Sequence, residues 1–200
     1  MDFKGLKLEK VVRQGIDQFD VDGIRASQRY GVWEAFEALN EVENISRVIE
    51  FGTQFGGLTI LLSKIFNCPV HTYEIDQTDY SEQFKNCLNI KVNNGCNIFN
   101  KSDDIGTLIS SEGKTLVLCD NGDKIREFNL FSKFLKSGDI IMAHDYVKTK
   151  EEYEKNYRNK IWNWHEISYS PISESVGKHS LKEYLPSIFS QYVWACFKKD

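Results

Sequence analysis

Four short segments of this chain carry side chains whose types and spacing can do chemistry. The segment Glu50-Phe51-Gly52-Thr53-Gln54-Phe55-Gly56-Gly57 lies between an apolar run, 47–51, and a helical pattern over 58–66. A glycine loop in that position lets a ligand approach the backbone closely, beside the free N–H groups of a helix start. Glu74 closes the next apolar run, 70–74, where a carboxylate can accept both hydroxyls of a ribose, and Asp76 is its near competitor. Asp120 ends the run 115–120, and His144-Asp145-Tyr146 stands at the end of 138–144. A histidine beside carboxylates can take a proton from a hydroxyl. Asp120, His144 and Asp145 are also a set able to hold one divalent ion. Their oxygens suit magnesium, and the imidazole leans towards manganese or iron. The competing structural reading makes Asp120 a helix cap and His144 a hydrogen-bonded residue at a strand end.

These residues matter only if the chain gathers them. Apolar runs at 47–51, 70–74, 115–120 and 138–144 read as buried strands, with a weaker one at 97–99. Helical spacing covers 58–66, 79–92 and 124–135. Strand and helix in alternation predict a parallel sheet with helices on both faces, and ligands then bind outside the carboxyl ends of the strands. Residues 1–46 read as a helix-rich cap, with Val32, Phe36 and Leu39 on one face of a helix over 28–39. In the tail a charged helix is expected over 150–160, strands over 165–172 and 191–198, and a short helix near 181–189. Two late strands place an antiparallel member near the C-terminal edge. The expectation is one α/β domain over 1–200, with an N-terminal helical cap (1–46) on an α/β core (47–200).

The letters of the glycine loop discriminate between ligands. A nicotinamide dinucleotide fingerprint wants glycine where this chain has Gln54, and Glu50 at the strand end would repel a pyrophosphate but suit a cation. The run Ile49–Gly57 resembles the first motif of class I S-adenosylmethionine-dependent methyltransferases, acid-x-Gly-x-Gly-x-Gly, from which Gln54 is the departure. The resemblance extends over roughly 28–145. It implies a Rossmann-like three-layer sandwich with a mostly parallel seven-stranded sheet, and S-adenosylmethionine as cofactor. Glu50, Gly52, Thr53, Gln54 and Gly56 would then surround the methionine part with Asp120 nearby. Glu74 and Ile75 would bind the ribose side, and Ser102-Asp103-Asp104 would lie beside adenine. The segments 116–122, 127–128 and 135–146 are similar, more narrowly, to the cephalosporin hydroxylase-like and macrocin O-methyltransferase-like groups. Several of these use an acidic divalent-metal site, where this chain has His144-Asp145. That likeness implies O-methylation of a small-molecule or sugar hydroxyl, with His144 and Asp120 as catalytic residues and magnesium or manganese as a candidate ion. Two alternatives stay open, a nicotinamide-dependent oxidoreductase and a non-catalytic nucleoside-binding relative.

Bulk properties narrow the partners. A formal charge of −4 over 200 residues offers no general attraction for nucleic acid or an anionic membrane. The Asn-Pro-Pro-Tyr type of signature used to methylate base amino groups is absent, since Asp120-Asn121-Gly122-Asp123 stands there. Five scattered cysteines without CxxC spacing argue for reduced thiols rather than a disulfide framework or zinc. With no apolar segment of signal-peptide or membrane-spanning kind, a cytoplasmic protein is expected. His71, His165 and His179 read as structural or exposed. Trp162 and Trp164, with Tyr153, Tyr157, Tyr169 and Tyr184, are candidates to flank an acceptor, and 173–180 to form a lid.

Overall fold

The computed structural model describes all 200 residues. The N-terminal segment departs from expectation. Residues 2–29 form an antiparallel meander of β1 (Asp2–Phe3), β2 (Leu6–Arg13), β3 (Ile16–Val21) and β4 (Ile24–Arg29), not a helical cap. Its turns are Lys4-Gly5, Gln14-Gly15 and Asp22-Gly23, all with positive φ at both residues. Such two-residue turns match the right-handed twist of paired strands and start the next strand at once. The helix expected over 28–39 begins later, as α1 (Val32–Val42); Val32, Phe36 and Leu39 are buried along it as anticipated.

A second sheet carries β5 (Arg47–Phe51), β6 (Val70–Tyr73), β7 (Ile90–Asn93), β8 (Thr115–Cys119), β9 (Ile140–Ala143), β10 (Leu181–Glu183) and β11 (Ala195–Lys199). Their order is β10-β11-β9-β8-β5-β6-β7. Strands β5 to β9 are mutually parallel, and β11 runs antiparallel to both neighbours. The antiparallel strand thus sits one place from the edge, as the tail pattern implied. The order reverses between β5 and β8, which opens a crevice beyond their carboxyl ends.

Successive residues of the central strands face opposite layers. Val48, Leu116, Leu118 and Met142 join α1, α2 (Gly57–Phe66) and the meander in one core. Ile49, Val117, Cys119 and Ile141 join α4 (Ser102–Ser110), α5 (Lys124–Phe131) and α7 (Ser173–Lys178) in the other. The meander is therefore part of the main core. A Cβ on Gly57, in the first turn of α2, would lie 2.5 Å from the Arg25 carbonyl oxygen, so β4 rests directly on that turn.

Several local expectations need correction. The third parallel strand is β7; Ile98–Lys101 is a single 3-10 turn, started where the Asn97 side chain accepts a hydrogen bond from the Phe99 N–H. The helix expected over 79–92 shrinks to α3 (Ser81–Phe84), because Ile90 and Val92 are drawn into the sheet. Over 150–160, α6 (Lys150–Glu152) passes into a π turn at Tyr153–Tyr157. Residues 165–172 hold only the bridge between Tyr146 and Ile167. Part of the expected helix near 181–189 is β10, and the rest is α8 (Pro186–Phe189), which starts where a proline is tolerated. The segment 173–180 is largely the helix α7 rather than a loop. The five cysteines are unpaired, and no helix is long and apolar enough to cross a membrane.

Glu43, just past α1, ties the start of β8 to β11 and to the residue after β10. Its buried carboxylate lies 2.5 Å from the ammonium groups of Lys114 and Lys198 and accepts the Tyr184 hydroxyl at 2.5 Å. Burial acts to raise its carboxyl pKa, but these partners outweigh it and bring the value down to about 2. A depressed carboxyl stabilises the fold above its ordinary 4.5, and that contribution is lost as pH falls towards about 2. Glu43→Gln is expected to cost about 3 kcal/mol in urea unfolding at pH 7, with the gap to the parent protein closing as the pH is lowered through that window.

Candidate active site

A cavity of about 660 Å³ lies outside the carboxyl ends of β5, β6, β8 and β9, roofed in part by the meander. The glycine loop forms its floor. Gly52 has φ 96°, and a Cβ there would sit 2.5 Å from the Asp120 carbonyl oxygen, so the loops after β5 and β8 touch backbone to backbone. Gly56, at φ 89°, begins α2. Gln54 adopts φ 51°, a left-handed conformation more usual for glycine. Thr53 hydrogen-bonds Thr72 at 2.7 Å between hydroxyls and lines the cavity.

Glu74 stands where expected, at the end of β6 on the cavity wall. Its carboxylate accepts the backbone N–H groups of Gln54 (2.8 Å), Ile75 (2.8 Å) and Asp76 (3.3 Å). The loop and the acid are thus one unit, and the acid is aimed before any ligand arrives. Ile75 and Asp76 also line the wall, and Tyr80 donates its hydroxyl to the Gln54 carbonyl at 2.6 Å.

Glu50 does not reach this surface. It is fully buried beneath the floor, where Thr59 donates to it at 2.6 Å and its Oε1 has no partner. Burial pushes its carboxyl up to about 8, so it is uncharged at neutral pH and cannot act as a counter-charge to a cation above it. Ser102 and Asp103 are corrected as well. They occupy the first turn of α4 and do not line the cavity, because the strand they were meant to follow is β7, nine residues earlier in the chain at Asn93.

The second constellation does converge. Asp120 Oδ1 meets His144 Nδ1 at 3.1 Å, and Asp120 Oδ2 accepts the Gln28 amide at 2.8 Å. The Gln28 carbonyl in turn accepts the Trp194 indole N–H at 3.0 Å. Gln28 reaches this place because β3 and β4 slip register beside it and Ser27 turns left-handed, a bulge that re-aims the side chain. His144 lies against Trp194, ring centroids 4.7 Å apart, and against Trp162 at 5.2 Å. Its Nε2 is buried without a partner. Burial acts to lower the imidazole pKa, yet Asp120 and Asp145 outweigh it and raise it above the ordinary 6.5. Asp145, at φ 57°, turns the chain after β9 and accepts the Trp162 indole N–H at 2.5 Å. Its carboxyl is held below the ordinary range: burial opposes this, and His144, Lys124 and Trp162 prevail.

Asp120, His144 and Asp145 bring ligand atoms within 4.8 Å of one another, as a metal site requires. The donor set is nevertheless already used. The Lys124 ammonium sits 3.1 Å from Asp145 Oδ2 and 3.8 Å from Asp120 Oδ1, and also binds Glu166 (2.7 Å) and the Asn121 carbonyl (2.9 Å). With Gln28, His144 and Trp162 on the other atoms, every carboxylate oxygen of the pair has a protein donor. A divalent ion would have to displace a buried ammonium that these carboxylates hold in its charged form. The residues present do not fit the ion.

Of the residues the sequence pointed to, the fold brings Gly52, Thr53, Gln54, Glu74, Ile75, Asp120, His144 and Asp145 to the cavity, while Gly56 caps α2 against Phe84 and does not line it. Sequence reasoning missed Lys124, Gln28, Gln18, Arg25, Ser27 and Glu166. Lys124, four residues beyond Asp120 at a helix start, was the one with a readable signal. Trp162 and Trp164 line the cavity, although Trp162 is committed to Asp145. His165 stacks on Tyr153 and binds Ser168, away from this wall.

No family profile and no curated protein matches the sequence. Solved structures do match the fold. A Staphylococcus aureus protein designated a caffeoyl-CoA O-methyltransferase is 11% identical with a TM-score of 0.61, and the match covers 88% of this chain and 86% of that one. The apo form of CmcI is 14% identical, TM-score 0.60, covering 90% and 75%. An SAH form of CmcI is 16% identical, TM-score 0.54, covering 88% and 80%. At such identities the likeness shows the fold alone, a Rossmann-like three-layer sandwich.

Two measurements check the electrostatics of the site. The parent protein, freed of metal by chelation, should bind no Mn²⁺ at millimolar concentration, whereas Lys124→Met should acquire a Mn²⁺ site visible by electron paramagnetic resonance. Gln28→Leu leaves the Trp194 N–H and Asp120 Oδ2 without partners, and should lower stability in urea by about 1–3 kcal/mol.

Proposed function

We propose that this chain is a cytoplasmic, single-domain methyltransferase that moves a methyl group from S-adenosylmethionine to a hydroxyl oxygen of a small molecule or sugar. One observation carries the reading: the glycine loop is hydrogen-bonded to Glu74, so a carboxylate able to accept ribose hydroxyls lies beside a backbone loop at one crevice. The O-methyltransferase designation of the Staphylococcus aureus structure and the SAH form of CmcI support it. A dinucleotide suits the site less. The Gln54 N–H, which a pyrophosphate would need, is already given to Glu74, and the carboxylates on the wall would repel phosphate.

Bound S-adenosylmethionine would supply an electrophilic methyl carbon on a sulfonium, which needs only an oxygen nucleophile aligned behind it. The remaining chemistry belongs to the chain. Glu74 accepts the ribose hydroxyls, and the Gly52–Gly56 loop admits the methionine part. Asp120 holds His144 through Nδ1, which leaves the Nε2 lone pair to take the acceptor's proton, and Asp120 stabilises the imidazolium so formed. Lys124 offsets the negative charge of Asp120 and Asp145, and Trp162 and Trp164 shield the reacting groups from water.

Calorimetry with S-adenosylmethionine and its demethylated product is the direct test, and the absence of binding to either ends the proposal. Glu74→Ala should weaken both by about tenfold or more, the loss of hydrogen bonds to a charged acceptor. Asp120→Asn and His144→Gln should keep product binding while abolishing incorporation of labelled methyl into acceptors from a small-molecule extract.

A further inference from the structure

The meander leaves three buried polar atoms without partners, Gln18 Oε1, Arg25 Nε and Ser27 Oγ, each on a residue that lines the cavity. Gln18 as a whole is only 1% exposed. Arg25 is a cation with no ion pair or hydrogen bond, its guanidinium resting 4.8 Å from the centre of the Phe55 ring. A buried polar atom without a partner costs on the order of 1–3 kcal/mol, so three on one wall of one cavity mark a surface built for something polar.

Their chemistry says what. An amide oxygen can only accept, so Gln18 calls for a donor such as an ammonium. A guanidinium can only donate, and its planar fork matches a carboxylate. Ser27 can serve either. A ligand that offers an ammonium and a carboxylate side by side is an α-amino acid. The place of the wall agrees with this. The Arg25 carbonyl rests on Gly57, the first turn of the helix that the glycine loop opens, and Phe55 belongs to that loop. Glu74 stands at the far side of the same loop, beyond Gln54.

We infer that the β-meander, through Gln18, Arg25 and Ser27, is the subsite that binds the charged amino-acid end of an S-adenosyl donor, with Arg25 on its carboxylate and Gln18 on its ammonium. The inference rests on the donor reading above and extends it: one ligand is held at its ribose by the α/β core and at its zwitterion by a separate small sheet. Arg25 and Gln18 thereby select for the intact amino acid over nucleosides that lack it.

Two probes separate these contributions. S-Adenosylhomocysteine carries the amino acid, and 5′-methylthioadenosine keeps the nucleoside and the sulfur without it. In calorimetry on the full chain, the parent protein should bind the first at least tenfold more tightly. Arg25→Met should remove most of that preference, weakening S-adenosylhomocysteine about tenfold or more while leaving 5′-methylthioadenosine within about twofold. Gln18→Leu should act in the same direction, and Arg25→Lys, which keeps the charge but not the fork, should fall between. Retained binding of 5′-methylthioadenosine shows that each variant is folded. A preference that Arg25→Met leaves unmoved, or an equal weakening of both ligands, overturns the inference and leaves the donor reading standing. A parent protein that binds neither nucleoside overturns both.

Discussion

The carboxylate of Asp120 is gripped from two directions by parts of the chain with nothing else in common. Gln28 comes from a bulge in the N-terminal meander and His144 from the end of the fifth parallel strand, and Trp194 ties Gln28 to the segment before the antiparallel strand. Around this one acid the meander, the sheet and the tail are locked in register. A displaced Gln28 would strand a buried indole N–H, and a displaced His144 would lose the contact that orients its ring. The site is therefore not a decoration on a finished scaffold. Its hydrogen bonds are among the contacts that hold the scaffold's parts together.

The core of the fold was legible because it obeys short-range rules. Apolar runs such as 115–120 admit few readings, and their alternation with helical spacing leaves a parallel sheet as the natural assembly. Glu74, Asp120 and His144 were found through their places at strand ends. The meander has a signal in the sequence, since three X-Gly pairs, at 4–5, 14–15 and 22–23, each mark a two-residue turn. The strong helical pattern at 32–39, which follows directly, masks it. The third strand was lost for a different reason. Ile90 and Val92 are only half-buried at the sheet's edge, so their alternation is weak. Ser102 and Asp103 inherited that error. Gln28 was unreadable in principle, since its role depends on groups distant in sequence.

Charge explains why a likeness in fold need not carry a likeness in ion. Asp120, His144 and Asp145 have the separations of a metal site, and a neighbouring lysine decides what fills it. With two hydrogen-bonding partners and two further carboxylates beside it, Lys124 is a cation fixed by covalent attachment, insensitive to the supply of metal. His144 first, and then Lys124, hold the Asp145 carboxyl below its ordinary range in a buried setting where an unpaired carboxylate would be raised. Glu50 shows the converse. Sealed under the loop with one hydroxyl for company, it settles its own burial by remaining neutral.

The bonds through Gln28 span 92 residues to Asp120 and 166 to Trp194. Contacts of such sequence separation close late in folding, because the entropy of ordering the intervening chain must be met before they form. The turns of the meander are local, but its apolar face closes only against α1, α2 and the sheet, in one shared core. The cavity wall comes into being only when these two pieces dock and Trp194 arrives. A chain with a formed sheet and a formed hairpin array, but without these contacts, would have its cavity open to solvent on one side. Closing the cavity wall thus depends on the same long-range contacts that join the meander and the tail to the sheet.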